Sequence, residues 1–167
     1  MVTVRPCEAH DLALLRAHIP TPGHPERHAT RFERQQRGRS TFLIAWIDDV
    51  PVGAGEVLWG GCAAPEINQH YPHCPELSGL DVWPPELRSQ GIGTALVRAA
   101  EGLARQRGCR QIGLGVEDTN LRAAALYLRL GYQETGRQYL DRYQYTDNDG
   151  VRRDAADPAR FLVKTLG

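Results

Sequence analysis

The segment comprising residues 76–107 constrains the fold of this chain more than any other. It reads ELSGLDVWPPELRSQGIGTALVRAAEGLARQR: a short apolar strand, a proline-marked turn, a glycine-containing loop and a helix from Ile92. A strand that leads through such a loop into a helix directs several backbone N–H groups towards one point, at the positive end of the helix dipole. Gly91 and Gly93 lack a Cβ and let an anion approach the backbone, and Arg88 adds a cation. The segment is therefore predicted to bind a phosphate group.

The spacing of this loop excludes two common phosphate-binding motifs. A dinucleotide fingerprint, G-x-G-x-x-G, requires a third glycine where Leu96 stands. A nucleoside-triphosphate loop requires a lysine directly after a glycine, and none is present. The loop reads instead Arg-x-x-Gly-x-Gly, preceded by L-x-V-x-P. A second motif, NLRAAALYLRLGY, follows at residues 120–132, and the spacing between the two motifs fits further helix and strand elements.

Together, the two motifs resemble the pyrophosphate loop and the N-x-x-A-x-x-L-Y-x-x-L-G-[FY] segment of the GNAT superfamily of acyl-CoA-dependent N-acetyltransferases. The resemblance covers residues 76–132 in detail. It implies an α/β (α+β) fold, in which a mixed, mostly antiparallel sheet of about seven strands is flanked by about four helices. It also implies an acetyltransferase with acetyl-CoA as cosubstrate and a primary amine as acceptor. Small amine metabolites, aminoglycoside-like antibiotics, free amino acids and protein N-termini are all open as acceptors, and the polar segments at residues 21–36 and 60–75 favour a small polar molecule. Homodimers are common in this superfamily, and no feature of the sequence decides the oligomeric state.

The same resemblance implies which residues bind the cosubstrate. The backbone of residues 88–94 would hold the pyrophosphate, and the strand at residues 80–82 would pair with the pantetheine arm. The N–H of Val82 would polarise the thioester carbonyl, Tyr127 would donate a proton to the departing sulfur, and Asn120 would cap its helix and contact the arm. The expected cosubstrate-binding residues are Leu80, Asp81, Val82, Arg88, Ser89, Gln90, Gly91, Ile92, Gly93, Thr94, Asn120 and Tyr127.

The base that deprotonates the acceptor is less constrained by the motifs. An alkylamine has a pKa near ~10.4 and reaches the enzyme mostly protonated at neutral pH. Glu56, Glu76 and Asp81 are candidates, acting directly or through water. In a regular strand Glu76 shares a face with Leu80 and Val82, whereas Asp81 points to the other face, which favours Glu76. No cysteine lies within either motif, so we expect direct attack in a ternary complex.

A non-catalytic acyl-CoA sensor or a partner-binding module on the same fold is the alternative function. A sensor could lose the tyrosine freely, so the presence of Tyr127 beside the intact loop residues favours an enzyme.

The remaining segments predict supporting elements. A polar helix over residues 25–37 either faces solvent or supplies Arg and His side chains to the acceptor site. The loop at residues 60–75 is expected to wall that site. It contains potential zinc ligands but no C-x-x-C pair, so no metal is predicted. These ligands are Cys62, His70, His73 and Cys74. The other predicted elements are strands at residues 2–5, 41–47, 52–59, 111–116, 132–139 and 160–164 and a helix at residues 11–19.

Length and charge exclude several classes of function. A chain of 167 residues is predicted to form one domain, residues 1–167. Its 20 Lys and Arg residues equal its 20 Asp and Glu residues, so there is no broad basic field for nucleic acid or an anionic membrane. No apolar run approaches eighteen residues, and the expected location is the cytoplasm.

Overall fold

One seven-stranded sheet, with strand order β1-β2-β3-β4-β5-β7-β6, organises the computed structural model, which describes residues 1–167. All neighbouring strands are antiparallel except β4 and β5, which are parallel. The strands are β1 Thr3–Pro6, β2 Ser40–Ile47, β3 Val50–Leu58, β4 Glu76–Val82, β5 Gln111–Glu117, β6 Gln133–Thr146 and β7 Arg152–Thr165. The predicted fold class is confirmed.

Five helices accompany the sheet, one more than the sequence predicted. They are α1 Leu12–His18, α2 Arg27–Gln36, α3 Pro65–Asn68, α4 Ile92–Gln106 and α5 Leu121–Arg129. The additional helix, α3, is a single turn within the long loop before β4. No helix is both long enough and apolar enough to cross a membrane.

Helix α4 contributes five of the 18 buried residues of the largest hydrophobic core. Ile92, Leu96 and Ala100 are buried and follow the predicted spacing along one helix face. They pack on the sheet together with residues of β2–β5, β7 and α5, including Leu77 of β4. Helices α1 and α2 pack on the opposite face of the sheet, where Phe32 of α2 packs against a second core that contains Leu15 and Phe42. The sheet therefore separates an α4 face from an α2 face, and this separation decides where each side chain of β4 can act.

Strands β6 and β7 form a much longer hairpin than predicted, with 14 residues in each strand. The prediction ended β6 at residue 139 and began β7 at residue 160, because the outer part is polar and carries almost no apolar alternation. The turn at residues 147–151 lies at the tip. Beside it the N–H of Thr146 donates to the carbonyl of Gly23, in the loop between α1 and α2, at 2.8 Å. The hairpin thus reaches across the sheet to the start of α2.

The loop at residues 60–75 packs beneath the sheet instead of walling the acceptor site. Its buried residues Cys62, Ile67 and Cys74 form a third core with Phe161 and Val163 of β7. None of the loop residues lines the large cleft described below, so that expectation is wrong.

The potential zinc ligands of this loop are not arranged as a site. His70 and His73 are exposed, whereas Cys62 and Cys74 are buried. No three of these four side chains bring ligand atoms within 4.8 Å of one another.

Candidate active site

The parallel strands β4 and β5 separate soon after they meet. Their only paired residues are Glu76 and Gly113, at the start of β4. Beyond this pair, the side of β4 that faces β5 has no neighbouring strand. A cleft of about 840 Å³ opens there, lined by residues from α2, β3, β4, β5, α5 and the β6–β7 hairpin. The sequence motifs fit such a separation but could not reveal it.

A bulge in β4 sets the direction of every side chain that follows it. Gly79 and Leu80 stand opposite Gly55 alone, where a regular ladder would place one residue. Gly79 has a φ of +62°, the left-handed conformation that bulges of this kind require. The extra residue shifts the alternation by one, so Glu76 and Asp81 lie on the same face of the sheet.

The regular alternation predicted for β4 is therefore wrong. Leu80 points to the α4 face, where a Cβ built on Gly55 would lie 3.4 Å from its side chain. Val82, opposite Gly53 in the ladder, faces α4 as well. A glycine in a strand is compatible with a bulge, but the sequence alone does not show that Gly79 forms one.

The backbone N–H of Val82 points away from β3. The neighbouring Trp83 N–H donates to the carbonyl of Val52 on β3 at 3.0 Å. In an antiparallel ladder this places Val82 at a position whose own N–H points away from β3. The N–H group that the resemblance implies as the thioester donor therefore lies on the side where β4 and β5 have separated.

The loop before α4 presents a continuous row of unused donors. The backbone N–H groups of residues 89–94 donate to no backbone carbonyl or side chain of the protein. Gly91, the N-cap of α4, has a φ of +88° and open space where a Cβ would lie. Arg88 and Arg122 are exposed beside the loop, and Arg122 donates to the hydroxyl of Ser89. Six N–H groups at the N-terminus of a 15-residue helix form a strong anion-binding arrangement.

Helix α5 places the predicted tyrosine in the cleft. Asn120 accepts a hydrogen bond from the N–H of Ala123 at 3.1 Å, so the predicted N-cap is confirmed. Tyr127, two turns further on, is 7% exposed, and its ring packs edge-on against Tyr132 with centroids 6.2 Å apart. The Tyr127 hydroxyl makes no hydrogen bond within the protein, and burial raises its pKa to about 12. The phenol is therefore protonated throughout the neutral range.

Glu76 is a buried carboxyl group without a compensating cation. It lines the cleft, is 8% exposed, and its Oε2 atom has no hydrogen-bond partner. Burial raises the pKa of Glu76 to about 7, and the negative charge of Asp141 adds to the effect. A carboxyl group with this pKa exchanges a proton readily at neutral pH.

The other two candidate bases have different surroundings. Glu56 also lines the cleft, but Arg34 donates to both of its oxygens, at 2.7 and 2.9 Å, and Arg31 lies 3.6 Å away. Both carboxylate oxygens of Glu56 are therefore engaged within the protein and are not free to contact an acceptor amine. Asp81 lies outside the lining of the cleft.

Of the predicted site residues, four line the cleft itself: Glu76, Leu80, Asn120 and Tyr127. Asp81, Val82 and residues 88–94 lie along the end of β4 and the start of α4, outside this lining.

The sequence left the role of α2 open, and the structure places its arginines at the cleft. Arg27, Arg31 and Arg34 recur at helical spacing and all line it. Arg31 is only 4% exposed, and burial, reinforced by the charge of Arg27, lowers its pKa to about 9. His28 is buried too and bonds to the carbonyl of Ile19 at 2.8 Å. A fully solvated helix is therefore the wrong interpretation, and the three-arginine spacing was the signal available in the sequence.

The far wall of the cleft is the β6–β7 hairpin, which sequence reasoning did not place there. Tyr139, Asp141, Tyr143 and Tyr145 occupy alternate positions of β6 and face the same side of the sheet. The residues of β6 that line the cleft are Tyr139, Asp141, Tyr143, Gln144, Tyr145 and Thr146.

The chain belongs to the acetyltransferase (GNAT) family, whose match extends over residues 11–132. An aminoglycoside N(6')-acetyltransferase type 1 from Klebsiella aerogenes is 31% identical over 142 residues, which cover 78% of this chain and 89% of that protein. The chain is accordingly an acyltransferase of a family that uses acetyl-CoA.

Solved structures share the fold at lower identity. The ribosomal-protein-S18-alanine N-acetyltransferase from Escherichia coli has a TM-score of 0.66 and 20% identity, over 100% of this chain and 95% of that chain. The Paia N-acetyltransferase from Thermoplasma acidophilum, in complex with coenzyme A, has a TM-score of 0.65 and 17% identity over 99% of each chain.

Proposed function

We propose that this protein transfers the acetyl group of acetyl-CoA to the primary amine of a small polar acceptor, by direct attack in a ternary complex. One observation carries the proposal. The Tyr127 hydroxyl and the Glu76 carboxyl are both largely buried, each retains an unpaired polar atom, and both line the cleft where β4 and β5 separate. A proton donor and a proton acceptor thus lie at one opening in the sheet.

The residues present fit the cosubstrate. The pyrophosphate would accept hydrogen bonds from the N–H row at residues 89–94, next to the Arg88 side chain. The pantetheine arm would lie along residues 80–82, on the side of β4 that has no neighbouring strand. When bound, acetyl-CoA supplies an activated acyl group with a thiol as leaving group.

The protein's own groups would supply the remaining requirements. Glu76, with a pKa of about 7, takes the proton of the acceptor's ammonium group and leaves a nucleophilic amine. The N–H of Val82 stabilises the negative charge that develops on the carbonyl oxygen. Tyr127 donates a proton to sulfur as the carbon–sulfur bond breaks. The ammonium nitrogen loses two protons: one goes to Glu76 before attack, and the second leaves after the carbon–nitrogen bond forms. The second proton balances the one that sulfur gains from the phenol, which is reprotonated before the next turnover. Glu76 releases the first proton to solvent, so each turnover yields one proton overall.

The pKa values limit how Tyr127 acts. A thiol has a pKa near ~8.5, so complete transfer from a phenol of pKa about 12 to a free thiolate is uphill by roughly 5 kcal/mol. Proton donation must therefore accompany bond cleavage. The main contribution of the Tyr127 hydroxyl is a hydrogen bond that strengthens as charge develops on sulfur.

A coenzyme A release assay with a panel of amines tests the proposal. The panel contains aminoglycosides, simple alkylamines, free amino acids and a peptide with a free N-terminus. We expect thiol release that depends on the acceptor and is strongest with the small polar amines. Acetyl-CoA binding without release for any acceptor would instead identify a non-catalytic acyl-CoA sensor.

A further inference from the structure

Two carboxylates face each other across the β6–β7 hairpin, and one of them, Asp141, lines the cleft. Asp141 of β6 and Asp157 of β7 are directly paired across the hairpin. Like charges at directly opposite positions destabilise an antiparallel pair. The hydroxyl of Tyr143 donates to Asp157 at 2.7 Å, but no cation pairs with either aspartate. The hairpin therefore retains an unfavourable contact that a bound cation would relieve.

A third carboxylate lies on the same face of the sheet. Glu117 of β5 is paired with Ala159 of β7, and Ala159 is two residues from Asp157, so their side chains point the same way. Arg160 follows Ala159 in β7, so its side chain lies on the other face of the sheet, where it pairs with Glu134. Glu117 has no ion-pair partner. Residues Glu117, Asp141 and Asp157 are called the carboxylate wall below.

An independent observation indicates that this wall faces a ligand. Glu76 lies in the same cleft, is more than nine-tenths buried, and has an unpartnered Oε2 atom. The charge of Asp141 is close enough to affect the pKa of Glu76. The carboxylate wall therefore continues inward to the group that we assign as the base.

The cations of the cleft do not neutralise these groups. Arg31 and Arg34 are engaged by Glu56, and Arg152 donates to Gln144. Arg27 is the single arginine of the lining without a hydrogen bond or an ion pair. Its guanidinium lies on the opposite wall, next to Gly79 of the β4 bulge.

We propose that the acceptor carries a second cationic group, which binds at the carboxylate wall while the reacting amine lies at Glu76. The acceptor class is thus a diamine or polyamine, including amino sugars with several ammonium groups. This inference rests on the proposed function, because it assumes that the same cleft holds the reacting amine.

A pair of length-matched amines tests it. The ratio of kcat/KM for 1,5-diaminopentane to that for 5-amino-1-pentanol is measured at low ionic strength, since the two probes differ mainly in the second charge. We expect a ratio of about tenfold or more, mostly through KM, and a decrease of the ratio with added salt. A ratio near one would overturn the inference and leave the acetyltransferase proposal intact.

Two single-residue variants test whether the second ammonium group binds at the carboxylate wall. Asp141→Asn should reduce the ratio several-fold and, because it removes the like-charge pair, raise the thermal unfolding temperature. Asp149→Asn is the matched control: it removes the same charge from the exposed tip of the same hairpin, and the ratio should not change. An equal reduction in both variants would indicate a general charge effect and contradict the assignment.

Equilibrium binding of 1,5-diaminopentane separates the two proposals. Binding that Asp141→Asn weakens, without turnover of either amine, would support the second-cation site and count against catalysis. Absence of 1,5-diaminopentane binding would overturn the second-cation site, whereas the acetyltransferase proposal would still be decided by coenzyme A release with the amine panel.

Discussion

Arg31 of α2 donates to the carbonyl of Gly79 in the β4 bulge, with 3.0 Å between Nη2 and oxygen. The guanidinium occupies the space where a side chain at position 79 would begin, because a Cβ built on Gly79 would lie 1.7 Å from Nη2. The buried arginine and the glycine are therefore mutually dependent. Together they attach α2, one wall of the cleft, to the strand that we expect to bind the cosubstrate.

Gly79→Ala should destabilise the protein by at least about 2 kcal/mol. The left-handed backbone alone costs a residue with a Cβ about 1–2 kcal/mol, and the displaced guanidinium of Arg31 would lose its contacts in a buried position. Denaturant unfolding measures the change. Gly38→Ala is the control, because Gly38 also has a positive φ, +75°, but has nothing within 4 Å of the Cβ position. Equal losses in the two variants would show that the Arg31 contact contributes little.

Tyr127→Phe should lower kcat by about tenfold or more, with little change in acetyl-CoA affinity. The hydroxyl makes no hydrogen bond within the protein, so its removal should leave the thermal unfolding temperature nearly unchanged. Steady-state kinetics with a confirmed acceptor provide the measurement. Tyr71→Phe, which removes a hydroxyl from the ring that packs on Phe161, serves as the control. Unchanged turnover in the Tyr127 variant would exclude its role as proton donor.

Gly91→Val should weaken acetyl-CoA binding by about tenfold or more, because a β-branched residue is strained at the φ of +88° and would shift the backbone that presents the N–H donors. Calorimetry of cosubstrate binding measures the effect. Gly108→Val is matched closely: both glycines have positive φ, +88° and +76°, both have open space at the Cβ position, and they flank opposite ends of α4. Both variants should lose similar stability, but only the first should lose affinity. Wild-type affinity in Gly91→Val would argue against this anion site.

Glu76→Gln should remove a pH dependence of stability. The pKa of Glu76 is raised from 4.5 to about 7, so the folded state binds the proton more tightly than the unfolded state. This contribution is fully present below pH 4.5 and is lost as the pH rises through 7. Relative to the glutamine variant, the wild type should therefore lose roughly 3 kcal/mol of unfolding free energy between pH 4.5 and pH 8. Parallel stability curves for the two proteins would show that Glu76 titrates normally.

The elements with local signals were predictable from the sequence. Helix α4 combines an apolar face with glycines at both ends, and α5 begins at Asn120, which caps it as expected. Strands β2 and β3 are apolar and lie close together in the chain. Periodicity and turn chemistry determine such elements almost independently of the rest of the protein.

The features that define the cleft depend on contacts between distant segments. Gly79 forms a bulge because Arg31, 48 residues earlier, occupies the position of a side chain. The outer part of β6 is a strand because it pairs with an equally polar segment of β7. The separation of β4 from β5 depends on both strands together, and the sequence of neither strand alone shows where their pairing ends. The side-chain directions predicted for β4 were wrong for the same reason.

The hydrogen bond between Thr146 and Gly23 closes a continuous loop of hydrogen bonds around the cleft, in which the link from α2 to β4 is made by the Arg31 side chain. The loop runs from α2 through β4, β5, β7 and β6 and returns to the segment before α2. An opening encircled in this way cannot widen for a bulky molecule unless one of these hydrogen bonds breaks. The width of an acceptor is then limited by the positions of the strands and helices, whereas the side chains that line the cleft determine which charged groups can bind.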